Sequence, residues 1–268
     1  MKLIKPTYQI LNSDSYTIEQ QIELAARTCY KSEDKITDES AHKLVESLIK
    51  NKHTAMLEHG TIYLTIIVDN DLAKQVTQWF MCNKYSKVNT YNDIGYITTN
   101  YRVIVENNLQ RCLKWMSAPT RYHTKRYTVK FITDRQIANE IVRHRVGSYA
   151  QESTRFCSYA NSKFGSELTF IEPVFDPDWE ASKDIEIAHY KLAEEYYLTL
   201  SKTKKPQMCA RHLPLGIKTE LVVTGDEGFW KHFFDLRALD KTGPAHPGIK
   251  YLAEPLMQEF KDRQLINF

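Results

Sequence analysis

The residues best suited to bind a charged ligand are concentrated in one short stretch, residues 143–156. It contains three arginines, one histidine, two serines, one glutamine and one glutamate. An arginine side chain presents a rigid planar fork of donors that matches a phosphate or a carboxylate, and serine and glutamine add neutral donors. Gly147 permits a turn or a close backbone approach. The stretch therefore predicts a site for a polar, planar, phosphorylated ligand. A helix end followed by a polar loop would explain an isolated Arg-His-Arg equally well.

Hydrophobic periodicity predicts the elements that position this stretch. A short strand at 129–132 precedes a helix that Thr133 or Asp134 can cap. The helix places its apolar residues on one face: Ile137, Ile141 and Val142. It ends at the Arg-His-Arg sequence. Elsewhere the same patterns predict helices at 17–30, 39–51, 71–82, 185–204, 229–239 and 249–263, with a kink at Pro255 and a further helix starting at Pro206. They predict strands at 61–68 and 217–224.

Residues 83–127 differ from the rest of the chain. They are rich in Tyr, Asn and Lys and show little periodicity beyond a possible helix near 106–116. We interpret them as an insertion or a mobile lid. No repeat or Gly-rich linker divides the chain. The prediction is therefore an α+β fold, with mixed helices around a small antiparallel sheet, in a single domain over 1–268 that carries the inserted segment.

Composition restricts the class of protein. The chain has 268 residues, 42% hydrophobic and 26% charged, and a formal net charge of +3, which is too small to indicate nucleic-acid binding by itself. The five cysteines are odd in number and lack a Cys-x-x-Cys pair, which argues against a disulfide framework or a zinc ribbon. The N-terminus does not resemble a signal peptide, and no apolar run could span a bilayer. We expect a soluble cytoplasmic protein without metal, membrane or nucleic-acid partners.

The spacing within residues 143–155 resembles the signature of flavin-dependent thymidylate synthases, in which Arg-His-Arg is followed by seven residues, Ser, one residue and Arg. Further blocks resemble this family in the same order along the chain. They are Ala25-Ala26-Arg27, His53 with Glu58-His59, Arg211-His212-Leu213-Pro214, His232 to Arg237, and Ala245-His246-Pro247. The resemblance covers residues 20–68 and 130–260.

The resemblance implies an activity and its partners. Members methylate dUMP to dTMP, with 5,10-methylenetetrahydrofolate as carbon donor and FAD passing hydride from NADPH. They are typically homotetramers that bind FAD and dUMP at subunit interfaces. The resemblance also implies residue roles. FAD would contact His53, Glu58, Arg143, His144, Arg145, Val146 and His232, together with the positions of Cys29 and Ala55. The nucleotide would be held by Glu140, Gln151, Ser153, Arg155 and Arg211, with Arg237 as the catalytic residue at the uracil.

This chain departs from the family at three positions near the implied flavin site. Many members have Asn and then Arg where this chain has Asp226 and Gly228, and Asn where it has His232. Ser153 is a weak candidate for a nucleophile, because a serine hydroxyl needs a neighbouring base. Thymidylate synthases that use a cysteine nucleophile in a Pro-Cys-His context are excluded, since neither Cys157 nor Cys209 has such neighbours.

Two alternatives from other classes stay open. Tyrosines interleaved with Lys and Arg, as at 121–127, suit a nucleotide- or nucleic-acid-binding module without catalysis. A flavoprotein reductase that shares the fold is the other.

Overall fold

The computed structural model describes residues 1–11, 15–160 and 165–268. In chain order the strands and helices are β1 Lys2–Ile4, β2 Thr7–Leu11, α1 Ile18–Tyr30, α2 Ser40–Lys50, β3 Thr61–Ile67, α3 Asp71–Cys82, β4 Lys87–Tyr91, β5 Ile94–Asn100, α4 Tyr101–Glu106, β6 Arg126–Asp134, α5 Arg135–Ile141, β7 Ser148–Gln151, β8 Thr169–Ile171, α6 Trp179–Ser201, α7 Pro206–Cys209, β9 Lys218–Asp226, α8 Glu227–Arg237 and α9 Pro247–Asp262. Short 3₁₀ turns include Thr54–His59, Gln110–Trp115 and Ala210–His212.

Two antiparallel sheets organise the fold. The larger has the strand order β2-β6-β9-β7, and the smaller has the order β3-β5-β4. In the larger sheet, Val129 lies opposite Val223, and Ser148 lies opposite Thr224. A parallel pair, β1 with β8, forms a separate ladder, and a single bridge from Phe170 to Ile217 connects it to the residue before β9. The predicted α+β class with antiparallel pairing is confirmed. The single small sheet expected from the sequence is replaced by two antiparallel sheets and this pair.

The main core forms where helices α5, α8 and α9 cover one face of the larger sheet. Alternate strand residues such as Phe131 and Val223 point into this core, as a side-chain period of two requires. They meet the aromatic residues of α8, including the fully buried Trp230 and Phe233. The opposite face of the sheet packs on α1, where Ala150 and Val222 meet Ala25.

Residues 83–127 are regular and packed, contrary to the prediction that they carry little regular structure. They form β4, β5 and α4, and their side chains Ile97 and Ile104 are fully buried in the core of the smaller sheet. The helix predicted near 106–116 is wrong in position, because α4 ends at Glu106 and a 3₁₀ turn occupies Gln110–Trp115. The segment is thus part of the scaffold around the cavity described below.

The other predicted helices and strands are confirmed, with shifts of up to six residues at their ends. Helices α1, α2 and α3 and strand β3 lie within one residue of their predicted bounds, and α6 begins six residues earlier, at Trp179. Asp134 caps α5, as predicted. Pro255 lies within α9. Strand β7 lies within the predicted site stretch 143–156, for which the sequence predicted no strand.

Candidate functional site

The Arg-His-Arg sequence lies in the turn that joins α5 to β7. The helix starts at a fixed point, because the Asp134 side chain accepts a hydrogen bond of 2.7 Å from the backbone of Ile137. The turn then runs close to α8. A Cβ atom placed on Gly147 would lie 2.5 Å from Cε2 of Phe229, so a larger residue would push the turn away from that helix. The close approach predicted for Gly147 is confirmed.

His144, Arg237 and Glu140 form one hydrogen-bonded cluster. Arg237 donates from Nε to Nε2 of His144 at 3.0 Å and from Nη1 to Oε2 of Glu140 at 3.1 Å. Because a guanidinium can only donate, Nε2 of His144 acts as an acceptor and the ring is neutral. Burial, together with the nearby charges of Arg237 and His232, lowers the pKa of His144 to about 4. The cluster therefore holds the Arg237 side chain in one orientation at neutral pH.

A basic cavity of about 270 Å³ lies beside this cluster, between the two antiparallel sheets. Three residues predicted for the flavin line it: Arg145, Val146 and His232. Other lining residues come from both sheets and from the start of α8: Lys84, Tyr85, Lys87, Thr98, Asn100, Arg126, Ser148, Thr224, Gly225, Asp226, Gly228 and Phe229. Four of the lining side chains are cationic and one is acidic. Such a lining favours an anionic ligand.

A second, central cavity adjoins the basic cavity, and a third adjoins the second. The central cavity shares Tyr85 and Asn100 with the basic one, and Glu58 and Arg102 form an ion pair of 2.6 Å in the wall of that central cavity. An outer cavity of about 470 Å³ shares Arg102 with the central one. The outer cavity is lined by four predicted site residues: Cys29, His53, Ala55 and Arg155. Shared lining residues thus place the three cavities next to one another in a row, an arrangement that suits an elongated ligand.

The residues predicted to bind the nucleotide are only partly brought together. Ser153 lies at the edge of the outer cavity, since its backbone N–H donates to the carbonyl of Cys29 at 2.9 Å. Arg155 is exposed, and its guanidinium lies 5.2 Å from the ring of Phe156. The side chain of Gln151 donates to Thr219 at 3.3 Å. Arg211 is exposed in the 3₁₀ turn Ala210–His212 and lines none of the three cavities.

The FAD and nucleotide roles predicted from the sequence stay predictions. Among the FAD candidates, His144 lies behind the basic cavity rather than in its lining, and Arg143 is exposed outside all three cavities.

A buried ion network supports the strand that carries Gln151. The carboxylate of Glu152 accepts from Lys218 at 2.9 Å, and Lys218 also donates to Glu220 at 2.7 Å. Glu220 pairs further with Lys130 and Lys31. Burial opposes ionisation of Glu220, but the surrounding lysines outweigh it and lower the pKa of that carboxyl well below its usual range. The network ties β7 to β9 and β6 and so fixes the backbone on either side of Glu152.

Sequence reasoning missed the cavity residues that come from the smaller sheet and from the start of β6. Lys84, Lys87, Thr98 and Asn100 belong to the segment interpreted as an insertion, and Arg126 is its next-to-last residue. In the sequence, the basic residues at 121–127 suggested only a nucleotide- or nucleic-acid-binding alternative, and no short-range pattern predicted a cavity lined by Lys84, Lys87 and Arg126. Among the described residues, no group of three or more His, Cys, Asp or Glu side chains is arranged to hold a metal ion. Nor does the part of the chain that the structure describes contain a helix long and apolar enough to cross a membrane.

Comparison with known proteins adds independent information. The chain is similar to flavin-dependent thymidylate synthases of Saccharolobus solfataricus, with 31% identity over 129 residues, and of Sulfurisphaera tokodaii, with 32% identity over 129 residues. Each match covers 47% of this chain and 46% of the relative, so the chain matches about half the length of these relatives. A solved structure of a UMP/dUMP methylase from Streptomyces cacaoi, bound with 5-Br dUMP, superposes with a TM-score of 0.48 and 16% identity over 98% of this chain and 93% of the other.

The family assignment rests on a broader match. The sequence model described as thymidylate synthase complementing protein matches residues 11–92 and 120–264. These ranges include the Arg-His-Arg turn, the cluster around Arg237 and all four basic residues of the cavity lining. They make up most of the chain. The chain therefore belongs to the thymidylate synthase complementing protein family.

Proposed function

We propose that this protein is a flavin-dependent thymidylate synthase, which methylates dUMP to dTMP with 5,10-methylenetetrahydrofolate as carbon donor and FAD-mediated hydride transfer from NADPH. Family membership and the names of the curated relatives support the reaction class. One structural observation carries the proposal. The Arg-His-Arg turn places His144 against Arg237 and, one residue later, Arg145 in the lining of the basic cavity. A candidate catalytic arginine and an anion-binding cavity are thereby joined by consecutive residues.

The chain's own residues account for nucleotide binding. The guanidinium groups of Arg155 and Arg211 neutralise the dUMP phosphate through charge-assisted hydrogen bonds. Gln151 and Ser153 donate neutral hydrogen bonds to the nucleotide. Arg237, oriented by His144 and Glu140, stabilises negative charge as it develops on the uracil ring. Glu140, which accepts a hydrogen bond from Arg237, is the further residue that we assign to the nucleotide.

The residues present fit a flavin dinucleotide. The basic cavity offers excess positive charge for a diphosphate. The central cavity beside it is lined by Glu58, and the outer cavity beyond that is lined by His53. Arg143, Arg145, Val146 and His232 would hold the cofactor near the Arg-His-Arg turn, with His144 beneath them. Bound FAD, once reduced by NADPH, would supply the hydride that completes the methyl group. The protein orients the ligands and excludes water from the reacting atoms.

A complete site would require a second copy of the chain. Arg155 is exposed in the outer cavity, whereas Arg211 lies outside all three cavities. A homotetramer with FAD and dUMP sites at subunit interfaces would bring such separated residues to one ligand. An active monomer in analytical ultracentrifugation would contradict this arrangement. The cytoplasmic location expected from the sequence stays a prediction.

The test combines spectroscopy with turnover. The purified protein is loaded with FAD, desalted and titrated with dUMP, and dTMP formation is then followed with methylenetetrahydrofolate and NADPH. We expect retained flavin, a spectral change on adding dUMP, and dTMP as product. A rate of flavin oxidation that does not change on adding dUMP would favour the reductase alternative. Salt-dependent oligonucleotide binding without flavin would favour the binding module.

A further inference from the structure

Arg126 is a buried cation that faces the basic cavity without a carboxylate partner. Only 9% of the residue is exposed. Its guanidinium donates to neutral oxygens: the hydroxyl of Thr61 at 3.2 Å, the carbonyl of Glu58 at 2.9 Å and the hydroxyl of Ser148 at 3.3 Å. No carboxylate of the described residues lies within ion-pair distance of it. Burial lowers the pKa of Arg126, and the more distant charges of Asp226 and Glu58 only partly oppose that shift.

A buried, unpaired charge is strongly unfavourable unless an opposite charge approaches it. Other cations around Arg126 also favour the binding of an anion. Lys84 and Lys87 line the same cavity from the smaller sheet, and Arg145 lines it from the opposite side. Asp226 is the acidic residue of the lining, and Lys87 lies 3.5 Å from it. The cavity thus retains an excess of positive charge even when this pair is counted as neutral.

A second observation also indicates a missing ligand. The hydroxyl of Thr98, on β5 in the cavity wall, is buried and has no hydrogen-bond partner among the described residues. Buried polar atoms are normally paired, so an unpaired hydroxyl in a cavity wall indicates a ligand or water acceptor. Thr98 and Arg126 belong to different sheets, and the cavity lies between them.

We propose that Arg126, Lys84 and Lys87 bind the diphosphate of a dinucleotide, and that this dinucleotide is FAD. Residues 83–127 are then a wall of the cofactor site rather than a lid beside it. The inference rests on the proposed function, because that function requires FAD. It goes beyond that function in assigning the diphosphate to residues outside the Arg-His-Arg turn. A diphosphate carries about two negative charges, and three cations of the lining are not offset by Asp226: Lys84, Arg126 and Arg145. The positive charge of the cavity is therefore sufficient to neutralise a diphosphate.

The decisive experiment compares ligands that share a ring but differ in phosphate content. FAD, FMN and riboflavin are titrated into flavin-free protein, with quenching of flavin fluorescence as the readout. The test variant is Lys84→Ala with Lys87→Ala, because both side chains are exposed and their loss leaves the core intact. The matched control is Lys114→Ala, an exposed lysine of the same segment that lines none of the three cavities.

We expect the double variant to weaken FAD binding by about tenfold, the size typical of two partly exposed charge pairs, and to leave riboflavin binding at the wild-type level. Added salt should weaken FAD binding in the wild type more than in the double variant. Arg126→Gln, checked for folding by circular dichroism, should weaken FAD binding relative to riboflavin binding more than the double variant does. Arg126→Lys should restore part of the lost FAD affinity.

Each contrary outcome is distinct. Equal loss of FAD and riboflavin affinity would overturn the diphosphate assignment, as would FAD affinity equal to that of the Lys114→Ala control. Loss of NADPH binding, measured by its own fluorescence, with FAD binding unchanged would assign the diphosphate to the nicotinamide dinucleotide and overturn the assignment to FAD. A wild-type protein that binds none of the three flavins would overturn the proposed function itself.

Discussion

The contact between His144 and Arg237 gives a sharp test of how the site works. We consider the substitution His144→Phe. Phenylalanine keeps the ring that packs edge-on against Phe233, at a centroid distance of 5.1 Å, and against Phe229. It removes the nitrogen that accepts the hydrogen bond from Nε of Arg237. The variant thus deletes an acceptor with little change in the packing of the core.

The expected effect follows from the geometry of the pair. The bond is 3.0 Å long, and 21% of the Arg237 side chain is exposed. Removing one hydrogen bond to a charged group, with Glu140 still in place, weakens the orientation of Arg237 by about 1.5 kcal/mol. That corresponds to about a tenfold fall in kcat, because Arg237 is proposed to act on charge that develops in the transition state. FAD affinity should stay at the wild-type level.

Single-turnover dTMP formation and flavin retention after desalting separate the possible roles of His144. A fall in kcat with bound FAD is the expected result, and His144→Gln, which restores an acceptor, should recover part of it. The family resemblance assigns His144 instead to FAD contact. Loss of flavin from His144→Phe, with a wild-type kcat once FAD is added in excess, would refute the positioning role and support direct contact.

Three further expectations concern individual residues. Arg237→Ala should remove most of the dTMP-forming activity while FAD stays bound, and near-normal turnover would rule out its catalytic role. Ser153→Ala should raise the KM for dUMP without abolishing turnover; complete loss of single-turnover product, with both ligands still bound, would instead indicate a nucleophile. Burial, and then the charge of Arg126, lower the pKa of His59 from 6.5 to about 3. The imidazole of His59 binds a proton more readily in the unfolded chain than in the folded one. The contribution of neutral His59 to stability is therefore complete above the unfolded pKa and falls as the pH drops toward the folded pKa. Between about pH 7 and pH 5 the loss is about 2 kcal/mol in the free energy of unfolding. The free energy of unfolding, from urea titrations at each pH, should therefore fall more steeply between pH 7 and pH 5 in the wild type than in His59→Asn. Parallel pH profiles would contradict the lowered pKa of His59.

Local patterns predicted the helices around the site because their signals are contained in a few neighbouring residues. Asp134 begins α5 by accepting from the backbone three residues later, which requires no long-range contact. The apolar faces of α1 and α2 repeat at helical spacing, so their burial could be predicted from the sequence. The Arg-His-Arg turn could be located because it directly follows α5.

Strand β7 illustrates what the local pattern could not show. Its sequence, Ser-Tyr-Ala-Gln, is mostly polar and four residues long. It becomes a strand because it pairs with β9, where Ala150 lies opposite Val222 and packs into the core beneath α1. The partner lies about seventy residues further along the chain, and such pairing is set by tertiary context rather than by intrinsic propensity. The same reason explains why the short edge strand β4 was missed.

The basic cavity combines both kinds of information. The motif around Arg145 predicts one wall, since closely spaced arginines indicate an anion site in the sequence itself. The opposite wall comes from Lys84, Lys87 and Thr98, which lie in a segment without periodic signal and reach the cavity only because β5 pairs with β3. Arg126 links the two walls, since it begins β6 of the larger sheet and its guanidinium contacts Thr61 of the smaller. A residue that is costly to bury and bridges two sheets at a cavity is better explained by an anionic ligand than by fold stability alone, because an apolar residue would join the sheets without an unpaired charge. The burial of the unpaired Arg126 guanidinium, which the sequence could not show, is therefore the feature that most directly indicates an anionic ligand.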